Sequence, residues 1–283
     1  MSSSPFEIRS MRLQDVNHVL EWATREGWNP GLDDAECFYA TDPDGLLMGS
    51  MDGELIAAIS AVAYDENFGF LGLYIVAQGY RGRGYGLRLW GSALDHLGER
   101  TIGLDGVVGQ QDNYRRSGFK LAHINMRYGG TAQADMPKDA GLTAITELPF
   151  DQLVAFDREL FPAPRKRFVR CWCCSRSRSG FAILRDGDLA GYAMIRPSRE
   201  GHKIGPLFAN DEGTAETLFR SLVAGTQGSG PVFVDIPEPN AAAAALARRF
   251  GLRPIFETAR MYKGPHPALP VSRIYGITTL EQG

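Results

Sequence analysis

Along this chain, stretches with a two-residue hydrophobic period alternate with stretches of helical period. "FEIRSMR" (6–12) alternates like a half-buried strand. "LQDVNHVLEWATREG" (13–27) instead puts Leu13, Val16, Val19, Leu20 and Ala23 on one helical stripe, which stops at Gly27. Residues 45–65 read as two strands around Asp52-Gly53, a dipeptide suited to the left-handed angles of a tight hairpin. Then come an apolar run over 68–77, a helix over about 86–97, a strand over 101–109, the short helical "QDNYRRSG" and the strand "FKLAHINMRYG".

Residues 129–141, "GGTAQADMPKDAG", carry no periodicity and are rich in turn-forming residues, which marks a linker. Beyond it the order of elements repeats. A strand over 142–148, helices over 150–161 and near 165–176, and a hairpin at Asp186-Gly187 come first. A strand near 202–208, a helix over 213–224, the strand "PVFVDIP", the helix "NAAAAALARRFG" and the closing strand "ETARMYKG" complete the copy. The pattern predicts a duplicated α/β architecture with a mixed sheet: a first domain over 1–130, a linker over 131–141 and a second domain over 142–283. The last segment, "VSRIYGITTLEQG", has an apolar strand-like core that is free to return to either sheet.

Composition narrows the field. The 283 residues leave room for two domains, and 44% hydrophobic with 22% charged residues is an ordinary globular balance. A net charge of −3 provides no global attraction for nucleic acid or an anionic membrane. No apolar run approaches the ~18 residues of a bilayer span, and no secretory signal opens the chain, so a cytoplasmic setting is expected. Cys171, Cys173 and Cys174 form a C-x-C-C cluster with poor zinc spacing, so no metal is expected; the cluster reads as reduced thiols on a partly buried helix, with Cys37 alone. "RKR" (165–167) reads as a solvated helix start.

The strongest local chemistry lies in "QGYRGRGYG" (78–86), where Gly79, Gly82, Gly84 and Gly86 surround Arg81 and Arg83 at a helix entrance. Glycines let the backbone approach an anion closely, the helix start offers unpaired amides, and the arginines add charge-assisted donors. That combination describes a pyrophosphate cradle, although a plain basic turn is the alternative. There is no G-x-x-x-x-G-K-[ST], and the glycines follow G-x-G-x-G rather than G-x-G-x-x-G after a first strand, which disfavours the two common nucleotide folds.

"YIVAQGYRGRGYG" resembles the acetyl-coenzyme A signature of the GCN5-related N-acetyltransferases, [RQ]-x-x-G-x-[GA], with Arg81, Gly84 and Gly86 in the three places. Their later Y-x-x-x-G-F motif is matched by Tyr114 through Phe119. The second half is similar more weakly: Asn240, Ala243 and Gly251 keep a spacing, but Ala247 stands at the tyrosine position. Its phosphate loop, "PLFANDEGT", carries Asp211 and Glu212, which would repel a pyrophosphate. The whole resembles tandem acetyltransferases with an active first and a degenerate second domain, a group that includes Bacillus YitH-like proteins.

The resemblance implies direct attack of a primary amine, on a small molecule or a peptide, upon the thioester of acetyl-coenzyme A. It assigns the pyrophosphate to the amides of Arg81, Gly82, Arg83, Gly84, Tyr85 and Gly86, and the pantetheine arm to strand edge Tyr74, Ile75 and Val76. It makes the Val76 amide an oxyanion donor and Tyr114 the acid that protonates the leaving thiolate; a packing role is the alternative for Tyr114. No base stands out by spacing; Asp65, Glu66 and Asp105 are the candidates. Trp22, Trp28 and the "GWNPG" turn are candidates for a substrate mouth or for a packed turn. A binding sensor without turnover is the rival function, and homodimerisation stays open.

Overall fold

The computed structural model of the protein describes residues 5–138 and 141–283, so residues 139 and 140 of the expected linker lie outside the described residues. The first half contains β1 (Glu7–Ser10), α1 (Leu13–Arg25), α2 (Asp34–Thr41), β2 (Leu46–Met51), β3 (Glu54–Ala63) and β4 (Phe68–Val76), then α3 (Tyr85–Leu97), β5 (Thr101–Val107), α4 (Gln111–Arg116) and β6 (Lys120–Gly130). The second contains β7 (Leu142–Ala144), α5 (Phe150–Leu160), α6 (Lys166–Cys174), β8 (Ser179–Arg185), β9 (Asp188–Pro197) and β10 (His202–Ala209). It closes with α7 (Glu212–Gly225), β11 (Val232–Pro237), α8 (Ala241–Arg249), β12 (Arg253–Lys263) and β13 (Ile274–Gly276). The mixed α/β architecture and the repeated order match the sequence pattern. Two differences are the helix α2, which the pattern did not predict, and β7, which ends at Ala144 instead of 148 because Ile145–Glu147 turn.

The strands form one continuous sheet in the order β1-β2-β3-β4-β5-β12-β6-β11-β10-β9-β8-β7, with β13 paired to β10 off that path. The closing strands are exchanged between the halves. β12 of the second half inserts between β5 and β6, and β6 of the first half pairs with β11. Alternate residues of a strand reach opposite faces, and the cores follow that rule. On β9, Tyr192 and Met194 join one core while Ala193 and Ile195 join another. The first of these cores runs through both halves, combining Val16, Phe38 and Leu73 with Phe156, Trp172, Ile274 and Leu280. The halves therefore share apolar interior as well as backbone pairing.

Polar groups also lock the halves together. Asp34 at the start of α2 is fully buried and pairs with Arg178 at 3.1 Å and Arg196 at 2.9 Å. The Cys37–Cys171 disulfide joins α2 to α6, which corrects the expectation of reduced cysteines for this pair; Cys173 and Cys174 are free. The helix-start reading of 165–167 also needs correction at Arg165. This residue is buried in a bidentate pair with Asp157 at 2.8 Å, its Nη1 and Nη2 also donating to the Gly283 carbonyl and the Thr278 hydroxyl.

Candidate active site

Two backbone devices shape the site. The first is a bulge in β4. Going from Ile75 to Gly72 takes three steps on β4, against two from Ala58 to Ser60 on β3, and Leu73 sits at φ +48° within that excess. The kink separates β4 from β5. Their parallel pairing covers only Phe68–Leu71 against Thr101–Leu104, after which β5 continues beside β12 and β4 beside β3. The second device is the turn after β4, where Gly82 and Gly84 take φ +74° and +83°. Gly84 caps α3 without a side chain, and the first intrahelical bond runs from the Arg88 amide to the Gly84 carbonyl at 3.1 Å. The amides of Tyr85, Gly86 and Leu87 consequently have no acceptor inside the helix.

The split and the turn open into one cavity of about 610 Å³. Its walls include Tyr74, Ile75 and Val76 on β4, Arg81, Gly82, Gly84, Tyr85 and Gly86 at the turn, and Tyr114 on α4. Of the residues assigned from sequence to the cofactor and to Tyr114's acid role, Arg83 alone lies outside this lining, its guanidinium resting 5.7 Å from the centre of the Tyr80 ring. Arg81 lines the mouth, but its side chain faces away from the helix start: Nε donates to the Val76 carbonyl at 2.8 Å and Nη2 pairs with Glu26 at 2.5 Å. A Cβ built on Gly82 or Gly84 would meet nothing within 4 Å, so these glycines are required by their backbone angles and face open space. A cradle with free amides, positive-φ glycines and room for a ligand suits the pyrophosphate of coenzyme A.

Tyr114 lies against Trp90, ring centres 5.6 Å apart, and over Gly106, where a Cβ would come within 2.2 Å of its ring. Burial, with a smaller contribution from Tyr74, pushes the Tyr114 phenol up to about 12. Burial also raises the Tyr74 pKa. Both hydroxyls are therefore protonated donors at neutral pH.

The proposed bases fare differently. Asp65 accepts from the Asn67 and Phe68 amides at 2.8 Å each in the turn before β4, and neither it nor Glu66 lines the cavity. Asp105 does line it, but Arg260 holds both its oxygens at 2.7 and 2.6 Å and Asn125 adds a third bond at 2.8 Å. Burial raises the Asp105 pKa against the pull of Arg260. Trp28 lines the cavity as one of the two outcomes expected of its turn, whereas Trp22 is core. Sequence reasoning missed Phe256, Thr258, Leu280 and Glu281, which reach the first half's cavity from the second half. The signals were the strand-like end of the chain for Leu280 and Glu281 and the closing strand "ETARMYKG" for Thr258.

Comparisons with known proteins agree with this geometry. Residues 13–119 match the acetyltransferase (GNAT) family and residues 153–276 match an acetyltransferase (GNAT) domain. The chain is 32% identical over 271 residues to a holothin acyltransferase from Pseudoalteromonas, covering 96% of this chain and 92% of the relative. Among solved structures, a putative acetyltransferase from Pyrococcus horikoshii superposes with a TM-score of 0.82 at 22% identity, covering 98% of this chain and 96% of that one. A tandem GNAT protein from the clavulanic acid pathway gives 0.64 at 16%, covering 93% and 100%; both likenesses concern the fold. The chain belongs to the GNAT family. Within it, the chain is a tandem-domain acyltransferase.

Proposed function

We propose that this chain transfers the acetyl group of acetyl-coenzyme A to a primary amine by direct attack, and that only its first domain does so. The observation that carries this reading is the single cavity joining a glycine-built helix start to the β4–β5 split and to Tyr114. In this reading the amides from Arg81 to Gly86 hold the pyrophosphate, with Arg83 adding charge from outside the lining, and the edge Tyr74–Ile75–Val76 pairs with the pantetheine arm. Bound there, acetyl-coenzyme A supplies an activated thioester. The Val76 amide donates to the thioester oxygen as negative charge develops on it.

Tyr114 acts as the acid for the departing sulfur. With its pKa near 12, the phenol stays protonated until needed. Complete transfer to a thiolate whose own pKa is about 8.5 is uphill, so most of the stabilisation comes from donating a hydrogen bond to sulfur. A domain boundary in the 131–141 stretch and a cytoplasmic setting, where acyl-coenzyme A is available, belong to the same proposal.

The test is thiol release over a panel of amines: polyamines, amino acids, aminoglycosides, peptide N-termini and holothin, the last because the 32% relative is named for it. Tyr114→Phe is expected to lower kcat about 100-fold with acetyl-coenzyme A affinity unchanged. If no amine releases thiol while acetyl-coenzyme A still binds, the protein is a sensor and the proposal is wrong.

A further inference from the structure

We infer that the tail of the second half supplies the acceptor-side carboxylate of the first half's site: Glu281 receives the acceptor's ammonium group and takes its first proton. The inference rests on the amine-acetylation reading above and assigns the base that reading lacks.

The tail is held in place by several contacts with the first half. The Glu281 carbonyl accepts from the Ser60 hydroxyl at 3.5 Å, the Gln282 carbonyl from the Tyr64 hydroxyl at 2.7 Å, and Gln282 Nε2 donates to the Phe38 carbonyl at 3.4 Å. Gly72 makes the approach possible, because a Cβ there would come within 1.9 Å of the Glu281 carbonyl oxygen. Glu281 thus arrives at the β4 bulge, where the strands part and the cavity begins.

Three carboxylates line that cavity: Glu26, Asp105 and Glu281. Glu26 is paired with Arg81 at the mouth, and Asp105 is saturated by Arg260 and Asn125. Glu281 is only 3% exposed; its Oε2 accepts from the Thr279 hydroxyl, while Oε1 is buried with no hydrogen-bond partner among the described residues. A buried carboxylate oxygen without a donor is costly and calls for a cationic or N–H partner.

Two of the protein's own cations lie near it, and neither hydrogen-bonds Oε1. Arg127 on β6 feels Glu281 electrostatically but forks onto Asp235 of β11 at 2.7 and 2.9 Å and donates to the Trp28 carbonyl. Lys203 on β10 feels Glu281 more strongly than Asp235, which lies 3.8 Å away, and its Nζ is buried with no hydrogen-bond partner among the described residues. Thr258 adds to the lining a second buried oxygen without a partner among the described residues, and Trp28 adds aromatic surface suited to an ammonium, while the Phe256 ring already carries the Arg127 guanidinium 5.4 Å from its centre. The substrate class is therefore a primary amine carried as a cation, with an apolar face towards Trp28.

The proton balance closes. An ammonium nitrogen starts with three transferable protons. One passes to Glu281 Oε1 before attack and on to water. The freed lone pair forms the C–N bond as the C–S bond pair leaves on sulfur. Tyr114 donates a hydrogen bond to the departing sulfur, the second nitrogen proton reaches that sulfur through solvent, and the third stays in the amide.

The experiment compares Glu281→Gln with the unmodified enzyme on its best amine across pH 6.5–9.5, alongside acetyl-coenzyme A affinity and Tm. At pH 7, kcat/KM should fall about 100-fold. The deficit should shrink as pH approaches the amine's own pKa near 10, where the free base forms without help. Acetyl-coenzyme A affinity should hold. Glu281→Asp, which keeps the charge but withdraws it, should fall between the two with the same pH trend. A fully active Glu281→Gln overturns the inference and leaves the acyl-transfer reading intact. A deficit that is constant with pH, or that follows lost acetyl-coenzyme A binding, shows a structural role and also overturns it. An unmodified enzyme silent on every amine overturns both.

Discussion

The turn before α3 and the turn before α7 occupy equivalent places in the two halves and treat their helix starts in opposite ways. Before α3, Gly84 leaves the amides uncapped. Before α7, the Asp211 carboxylate accepts from the Thr214 amide at 2.9 Å and its hydroxyl at 2.8 Å. Its slight burial works against it, yet these bonds lower the Asp211 pKa. The second helix thus carries its own anion where the first has room for a foreign one.

The splits differ in the same sense. β10 carries a bulge like that of β4: three steps from Ile204 to Leu207 oppose two from Ile195 to Ala193. Its parallel pairing with β11 covers only His202–Ile204. But β13 then enters the opening, pairing with β10, and the following Ile277 amide donates to the Asp235 carbonyl of β11. The second half fills its own slot with chain. That same chain continues into the first half's cavity as the tail bearing Glu281. The lesson is that a repeated fold can fill one slot with a segment that goes on to line the cavity at the other.

Four changes probe the comparison, from the largest expected effect to the smallest. Gly84→Val forces a β-branched side chain into a left-handed angle at the open helix start. Acetyl-coenzyme A affinity should fall about 100-fold or more, measured by calorimetry, as the charge-assisted amide contacts are lost. Replacing both Cys37 and Cys171 with serine removes a crosslink spanning 134 residues between the halves. It should lower stability by about 2–4 kcal/mol in denaturant titration.

Lys203 lies near the filled slot, where burial, with Arg127 adding to it, depresses its pKa to about 8. The unfolded chain, with a lysine near 10.5, then binds more protons than the folded one above pH 8, so stability should climb as pH rises from about 8 to 9.5. Lys203→Met should flatten that climb. Asp211→Ala removes only the second helix's cap. It should lower stability by about 1 kcal/mol with turnover unchanged.

Much of the fold was legible from the sequence because the alternation of periods reports each element's burial, whatever its partner. The hairpins at Asp52-Gly53 and Asp186-Gly187 and the helix end at Gly27 appear at positive φ as their residue types require. Strand partners were not legible. β6 and β12 have the same inward and outward pattern whether they pair within their own half or exchange, so nothing local records the exchange. α2 was missed because Asp34 in its first turn reads as solvated, while Arg178 and Arg196, far along the chain, make its burial tolerable. That the glycine turn and Tyr114 would share a cavity was legible because their motifs are local. Glu281 was not, since its role depends on where a tail lands, and only the glycine at position 72 marks the landing place.

The central claim is that one of the two equivalent slots works. Calorimetric titration of the full chain with acetyl-coenzyme A tests it most directly. The account predicts one site per chain, abolished by Gly84→Val and unaffected by Asp211→Ala. Two sites per chain, or one site that survives Gly84→Val and disappears on changing the β10–β11 slot, would contradict it.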